Sequence, residues 1–134
     1  MNIEKREGQG LKRLELSECE LITMKCIWDS PEPITCQQIM GKLRTEYDLE
    51  YKDTTVYTFL KNLKDKGFVS SFRKGVTFYE AIRDEQEYRD EQLNRTRDFW
   101  FHGSYSELVS ALFQMKHMGQ REKDELKRMI DELD

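Results

Sequence analysis

Between residues 52 and 72, KDTTVYTFLKNLKDKGFVSSF, apolar side chains fall at Val56, Leu60 and Leu63, and Phe59 widens the stripe. The i, i+4, i+7 spacing predicts a helix with one side to be covered. Its other side carries Thr54, Thr55, Tyr57, Thr58, Lys61 and Asn62, with Asp65 the only acid past the first turn. Gly67 supplies a left-handed residue to end the helix, and Phe68 follows where a contact back onto the last turn is usual. Period-two runs then predict a hairpin: Phe68 to Phe72, a turn Arg73-Lys74-Gly75, and Val76 to Tyr79.

Two shorter helices precede this one. Ser17 and Glu20 form a capping box flanked by Leu16 and Leu21 as a hydrophobic staple, and Leu21, Met24, Ile27 and Trp28 make a buried stripe ending near Asp29. Ser30-Pro31-Glu32-Pro33 breaks the helix. Ile34 adds a short strand to the later hairpin, and Thr35 with Gln38 caps a second helix through Ile39, Met40 and Leu43 to about Tyr47. After the turn Asp48-Leu49-Glu50-Tyr51 comes the third helix, which is the order of a helix-turn-helix, and the hairpin is its wing. The fold class is therefore mainly α with a small β-hairpin wing.

After Ile82 the pattern returns to helix. Asp84 with Glu87 opens a long helix, DEQEYRDEQLNRTRDFWF, with a ragged apolar side of Tyr88, Leu93, Thr96, Phe99 and Trp100, ended by His102-Gly103. Ser104 with Glu107 opens another, striped by Tyr105, Leu108, Val109, Leu112, Phe113 and Met115 or Lys116. Beyond Gly119, Leu126, Met129, Ile130 and Leu133 make a last amphipathic helix. The expected organisation is a leader over 1–15, a winged helix-turn-helix over 16–82 and a three-helix region over 83–134. Stripes this narrow need a partner surface. A second copy is the economical one, through Phe99, Trp100, Tyr105, Leu108, Val109, Leu112, Phe113, Leu126, Met129, Ile130 and Leu133, since a two-fold dimer presents two recognition helices. The alternative is a monomeric extension packed on the winged domain.

Charge changes the picture once it is divided. The 134-residue chain carries −4 overall, with 13 basic and 13 acidic residues over 1–82 and 9 against 13 over 83–134. Residues 52–75 hold Lys52, Lys61, Lys64, Lys66, Arg73 and Lys74 against Asp53 and Asp65, a local +4 on the predicted helix and wing. A polyanion docks by local field.

Other chemistry finds little. No apolar run reaches membrane length, and the first residues lack a signal-peptide segment, so a cytoplasmic location is expected. Cys19, Cys26 and Cys36 form no CxxC pair, and His102 and His117 stand apart from one another, so the expectation is no metal, no cofactor and cysteines that serve the core. Neither a nucleophile and base pair nor a phosphate loop appears, so the chain is not expected to be an enzyme.

The segments LSECELITMKCIW and TTVYTFLKNLKDKGFV and the RKG hairpin resemble the penicillinase and methicillin-resistance repressors (BlaI/MecI), a family that includes copper-responsive CopY-type members. The similarity runs from about Leu16 to Leu133. It implies a dimeric winged-helix repressor on a dyad operator, with DNA contacts at Thr54, Thr55, Tyr57, Thr58 and Asn62 and wing contacts at Arg73 or Lys74. The chain departs from the family pattern in four places. Lys52-Asp53-Thr54 replaces the frequent Ser-Pro start, and Tyr57 stands where arginine is frequent. The C-terminal cysteines of copper-responsive members are missing. Ala111-Leu112 occupies the place of the Asn-Phe bond cut in antibiotic-responsive relatives, so a regulatory protease is a partner that the resemblance raises and the local sequence does not support.

The expected function is a homodimeric repressor without membrane partners, holding double-stranded palindromic DNA through phosphate contacts at Lys52, Lys61, Arg73 and Lys74. The alternative is a winged-helix protein-interaction module that binds no DNA.

Overall fold

A computed structural model describes residues 15–115 and 117–133. The expected leader, with Lys12 and Arg13, therefore falls outside the described residues except for Glu15, and so does Lys116. Chain contacts divide into two compact units that part between Glu85 and Gln86.

The first unit runs α1 (Glu18–Trp28), β1 (Ile34–Thr35), α2 (Cys36–Tyr47), α3 (Asp53–Asp65), β2 (Val69–Lys74) and β3 (Val76–Ala81). Both capping boxes form: Ser17 and Thr35 each accept the N3 amide, and Glu20 and Gln38 each accept the cap amide. The three strands make an antiparallel sheet in the order β1-β3-β2, with Ile34 opposite Tyr79 and Phe72 opposite Phe78. The expected strand at Ile34 is thus the sheet's third member, and a winged helix-turn-helix results.

The core of this unit gathers Met24, Ile27, Ile34, Ile39, Leu43, Val56, Leu60, Leu63, Phe68, Val69 and Tyr79. Each fully buried apolar side chain of this size contributes about 1.5–3 kcal/mol. The end of α3 is a Schellman motif: Phe68 N–H donates to the Leu63 carbonyl (2.9 Å) and Gly67 N–H to that of Lys64 (3.0 Å), with Gly67 at φ +82°. Phe68 is then fully buried beside Leu63. Its carbonyl accepts Ile82 N–H at 2.8 Å, so the residue expected to start the strand instead joins helix end to sheet end.

Three local expectations are corrected. Leu21 is exposed, because Glu20 and Thr23 take its place inside: the Thr23 hydroxyl donates to the Cys19 carbonyl at 2.8 Å and so enters the core satisfied. Trp28 is only half-buried, with its indole N–H held by the Arg83 carbonyl at 2.9 Å. The wing is longer than the expected three-residue turn allows, since Arg73 and Lys74 are strand residues and Gly75, at φ +75°, makes the tip.

The second unit holds α4 (Glu85–Phe101) from Gln86 onward, then α5 (Tyr105–Phe113) and α6 (Gln120–Glu132). His102 (φ 52°) and Gly103 (φ 81°) end α4, and Ser104 caps α5 through Glu107 N–H at 3.1 Å. No residue of α5 or α6 is buried. Phe99, Trp100, Tyr105, Leu112, Met129, Ile130 and Leu133 are exposed, while Leu108, Val109, Phe113 and Leu126 are half-exposed. Phe99 and Trp100 meet edge to face at 4.8 Å, and the Arg97 guanidinium lies 4.5 Å from the Tyr105 ring centroid.

A side chain at Gly67 meets open space but not an allowed backbone conformation. Gly67→Ala is expected to destabilise by about 1 kcal/mol in urea unfolding, with m unchanged. A neutral result would show that the left-handed cap does not strain an L-residue here.

Candidate nucleic-acid interface

The outer side of α3 is not uniform. With Val56, Leu60 and Leu63 inside, Thr54, Thr58, Lys61 and Asp65 fall on the fully outward line, Tyr57 on one flank, and Thr55, Phe59 and Asn62 on the other. The outward residues are exposed, whereas Thr55, Phe59 and Asn62 are half-buried. Thr58 Oγ1 donates to the Thr54 carbonyl at 3.0 Å, so its hydroxyl presents an acceptor and a methyl to the outside. Thr54 N–H donates to Asp53 Oδ1 at 2.7 Å, which holds that acid at the helix N-terminus.

Tyr57 leans toward the wing side. Its phenol lies near the buried Cys36 thiol and feels the positive charge of Arg73. Repulsion from Cys36, then burial, raises the Tyr57 pKa above the ordinary phenol value, so the ring meets solvent as a neutral group. Lys64 Nζ donates to Ser71 Oγ at 2.9 Å, tying helix to wing strand. Phe72 and Phe78 stack across the hairpin at 5.4 Å. Beyond them Arg73 and Lys74 stand exposed at the tip, with no ion pair among the described residues.

The opposite flank is structural. The Glu20 carboxylate, 5% exposed, accepts Ser17 N–H at 3.0 Å and Lys66 Nζ at 2.6 Å. Lys66 also donates to the Glu15 carbonyl at 3.0 Å. Burial pushes the Glu20 carboxyl up, but the Lys66 hydrogen bond, the Ser17 amide and Asn62 together hold it below its ordinary value. Asn62 is half-buried on this flank, turned from the fully outward line, and Lys66 is engaged by Glu20. Lys61 bridges to Asp65 at 3.0 Å, but both groups are exposed, a contact worth only a few tenths of a kcal/mol that a phosphate can replace.

Sequence reasoning missed Glu20 as a partner of the recognition helix: the capping-box pattern explained it locally and concealed its long-range role. It also missed the approach of Cys36 to Tyr57, which no spacing rule reveals. Cys26 and Cys36 are buried, and burial pushes the Cys26 thiol up to about 11 and raises that of Cys36, so neither is a ready thiolate. Cys19 is half-buried and lies 3.4 Å from the Tyr51 hydroxyl. Among the described residues no cluster of three or more His, Cys, Asp or Glu is placed to hold a metal, and no helix is long and apolar enough to cross a membrane.

A family model described as Penicillinase repressor matches residues 16–132. No curated protein matches the chain. Among solved structures, the peroxide-sensing regulator PerR from Streptococcus pyogenes is 25% identical over 54% of this chain and 54% of its own, with a TM-score of 0.46. The chain thus spans about half the length of that relative. Bacillus licheniformis BlaI, solved in its monomeric form in complex with the blaP half-operator, is 29% identical over 55% of this chain and 88% of that one, at a TM-score of 0.45. The Helicobacter pylori ferric uptake regulator Fur is 13% identical over 89% and 84%, at 0.47.

The Glu20 node sets a pH signature. A carboxyl depressed in the folded state stabilises fully above its ordinary value of 4.5 and loses that contribution as pH falls through the folded value. Glu20→Gln is expected to cost about 2–3 kcal/mol at neutral pH, and the gap to wild type should close on acidification. Urea unfolding at several pH values measures both; a gap that stays constant into acid would contradict the charge-based node.

Proposed function

We propose that this chain, which belongs to the penicillinase repressor family and is by that membership a DNA-binding transcriptional repressor, works as a homodimer that recognises a palindromic operator with α3 and the wing. The observation that carries this reading is the outward line of α3, exposed, with its one carboxylate, Asp65, paired to Lys61, and flanked by a basic wing tip with no ion pair among the described residues. A helix fits the major groove, where base edges are read by short polar side chains and methyl groups, while cations on either side hold phosphates.

The roles divide by chemistry. Thr54 and Thr58 face the bases, Thr58 as an acceptor or through its methyl against a thymine. Tyr57 lies at the edge, its neutral ring set against a sugar or a thymine methyl, and Thr55 lies at the other edge. Lys52, Lys61, Arg73 and Lys74 neutralise phosphates. Asn62, half-buried on the same flank as Thr55, lies beside that edge. Repression is by occupancy of DNA in the cytoplasm, without catalysis.

Support for the second copy comes from the C-terminal unit, where Leu112, Met129 and Ile130 lie exposed on amphipathic helices with no buried residue of their own. Apolar faces of this kind call for a covering surface, and an isologous contact provides one from the same sequence. A two-fold dimer presents two copies of α3 to a dyad, whose half-sites lie about one helical turn of DNA apart.

Two mutant classes test the assignment in a salt titration of operator binding. Lys74→Ala is expected to weaken all duplexes alike and to flatten the salt slope by about one unit. Thr58→Ala is expected to relax preference at one base position by about 1–3 kcal/mol and to leave the slope alone. Identical behaviour of the two variants would refute the division of roles. For the dimer, Leu112→Glu is expected to yield monomers by light scattering and to lower operator affinity, whereas a wild-type monomer at micromolar concentration would sink the homodimer.

A further inference from the structure

At the start of α3 the surface is hollowed into a shallow groove lined by Met40, Arg44, Glu50, Tyr51 and Lys52. Two cations line it from different elements: Arg44 from the last turn of α2 and Lys52 from the residue that caps α3. Both are exposed, and neither has an ion pair among the described residues. The Lys52 side chain makes no cap hydrogen bond and stays available. The wall is braced, because Tyr51 packs edge to face on Phe59 at 5.3 Å and its hydroxyl meets Cys19 Sγ at 3.4 Å. Glu50 is the one acid on the lining.

We infer that Arg44 and Lys52 form a seat for one backbone phosphate of duplex DNA, separate from the wing. The inference rests on the DNA-binding reading above and extends it to a residue on the helix before α3. Two features favour a phosphodiester. A guanidinium forks onto two phosphate oxygens, and an ammonium beside it adds a point charge. In helix-turn-helix docking the helix before the recognition helix crosses the DNA backbone, and Arg44 belongs to that helix. Cations then hold the duplex at two places along α3: at its entry through Arg44 and Lys52, and on the Tyr57 flank through Arg73. Glu50 opposes the seat and moderates its strength.

The test is a salt titration of the full chain on a duplex pool, with Arg44→Ala, Arg44→Lys, Glu50→Gln and, as reference, Arg73→Ala. Arg44→Ala is expected to weaken binding about threefold to tenfold near 0.1 M salt for all sequences alike, and to flatten the slope by about one unit. Arg44→Lys keeps the slope and loses part of the affinity, and Glu50→Gln tightens binding. Circular dichroism checks that the variants keep the wild-type fold, as expected for exposed positions. The seat is overturned if Arg44→Ala keeps wild-type affinity and slope while Arg73→Ala loses both. If the wild-type chain binds no duplex at any salt, the DNA reading itself fails, and the seat with it.

Discussion

The first unit depends on one narrow stripe. Val56, Leu60 and Leu63 are essentially free of solvent contact, and that single line of apolar atoms fixes the rotation of α3 about its own axis. Because the stripe takes up one side of the helix, the side opposite is released to water as threonine and lysine. The rotation cannot drift without bringing a hydroxyl or an ammonium into the core, which costs more than the marginal stability of a small domain allows. Burial inside and chemistry outside are therefore two results of one packing decision.

Polar contacts then lock what the stripe sets. The Glu20 carboxylate gathers a backbone amide of its own helix start and the Lys66 ammonium, so the first helix holds the end of α3. The Schellman turn at Gly67 holds the same turn by its backbone and delivers Phe68 into the core. From there the chain enters the wing, which Lys64 ties back to the helix at Ser71. Helix and hairpin thus present their basic groups from a braced platform, and a binding surface that is already ordered loses less entropy on meeting a ligand.

Most of this architecture was legible in the order of residues. Both capping boxes, the Ser-Pro break, the glycine cap and the wing are encoded by local chemistry acting over three or four residues, and local chemistry is what a sequence displays. What escaped was long-range. Leu21 looked like a core residue until Thr23 and Glu20, each satisfied by partners, occupied the inward side. Lys66 counts toward the basic charge of residues 52–75, yet a carboxylate more than forty positions away claims it. Arg44 was passed over because a lone cation in the last turn of a helix is ordinary, and only the fold sets it beside Lys52. In the C-terminal unit periodicity located every helix, while the chain alone leaves their apolar faces exposed.

The central claim is that the outward line of α3 and the basic groups around it meet a double helix. Amide chemical-shift mapping of the full chain on addition of a duplex tests it most directly. The account predicts that the largest changes fall at Thr54, Thr58, Lys61, Arg73 and Lys74, with the amides of Leu60 and Leu63 nearly still. Changes confined to residues 105–133, or spread evenly over the chain, would contradict it.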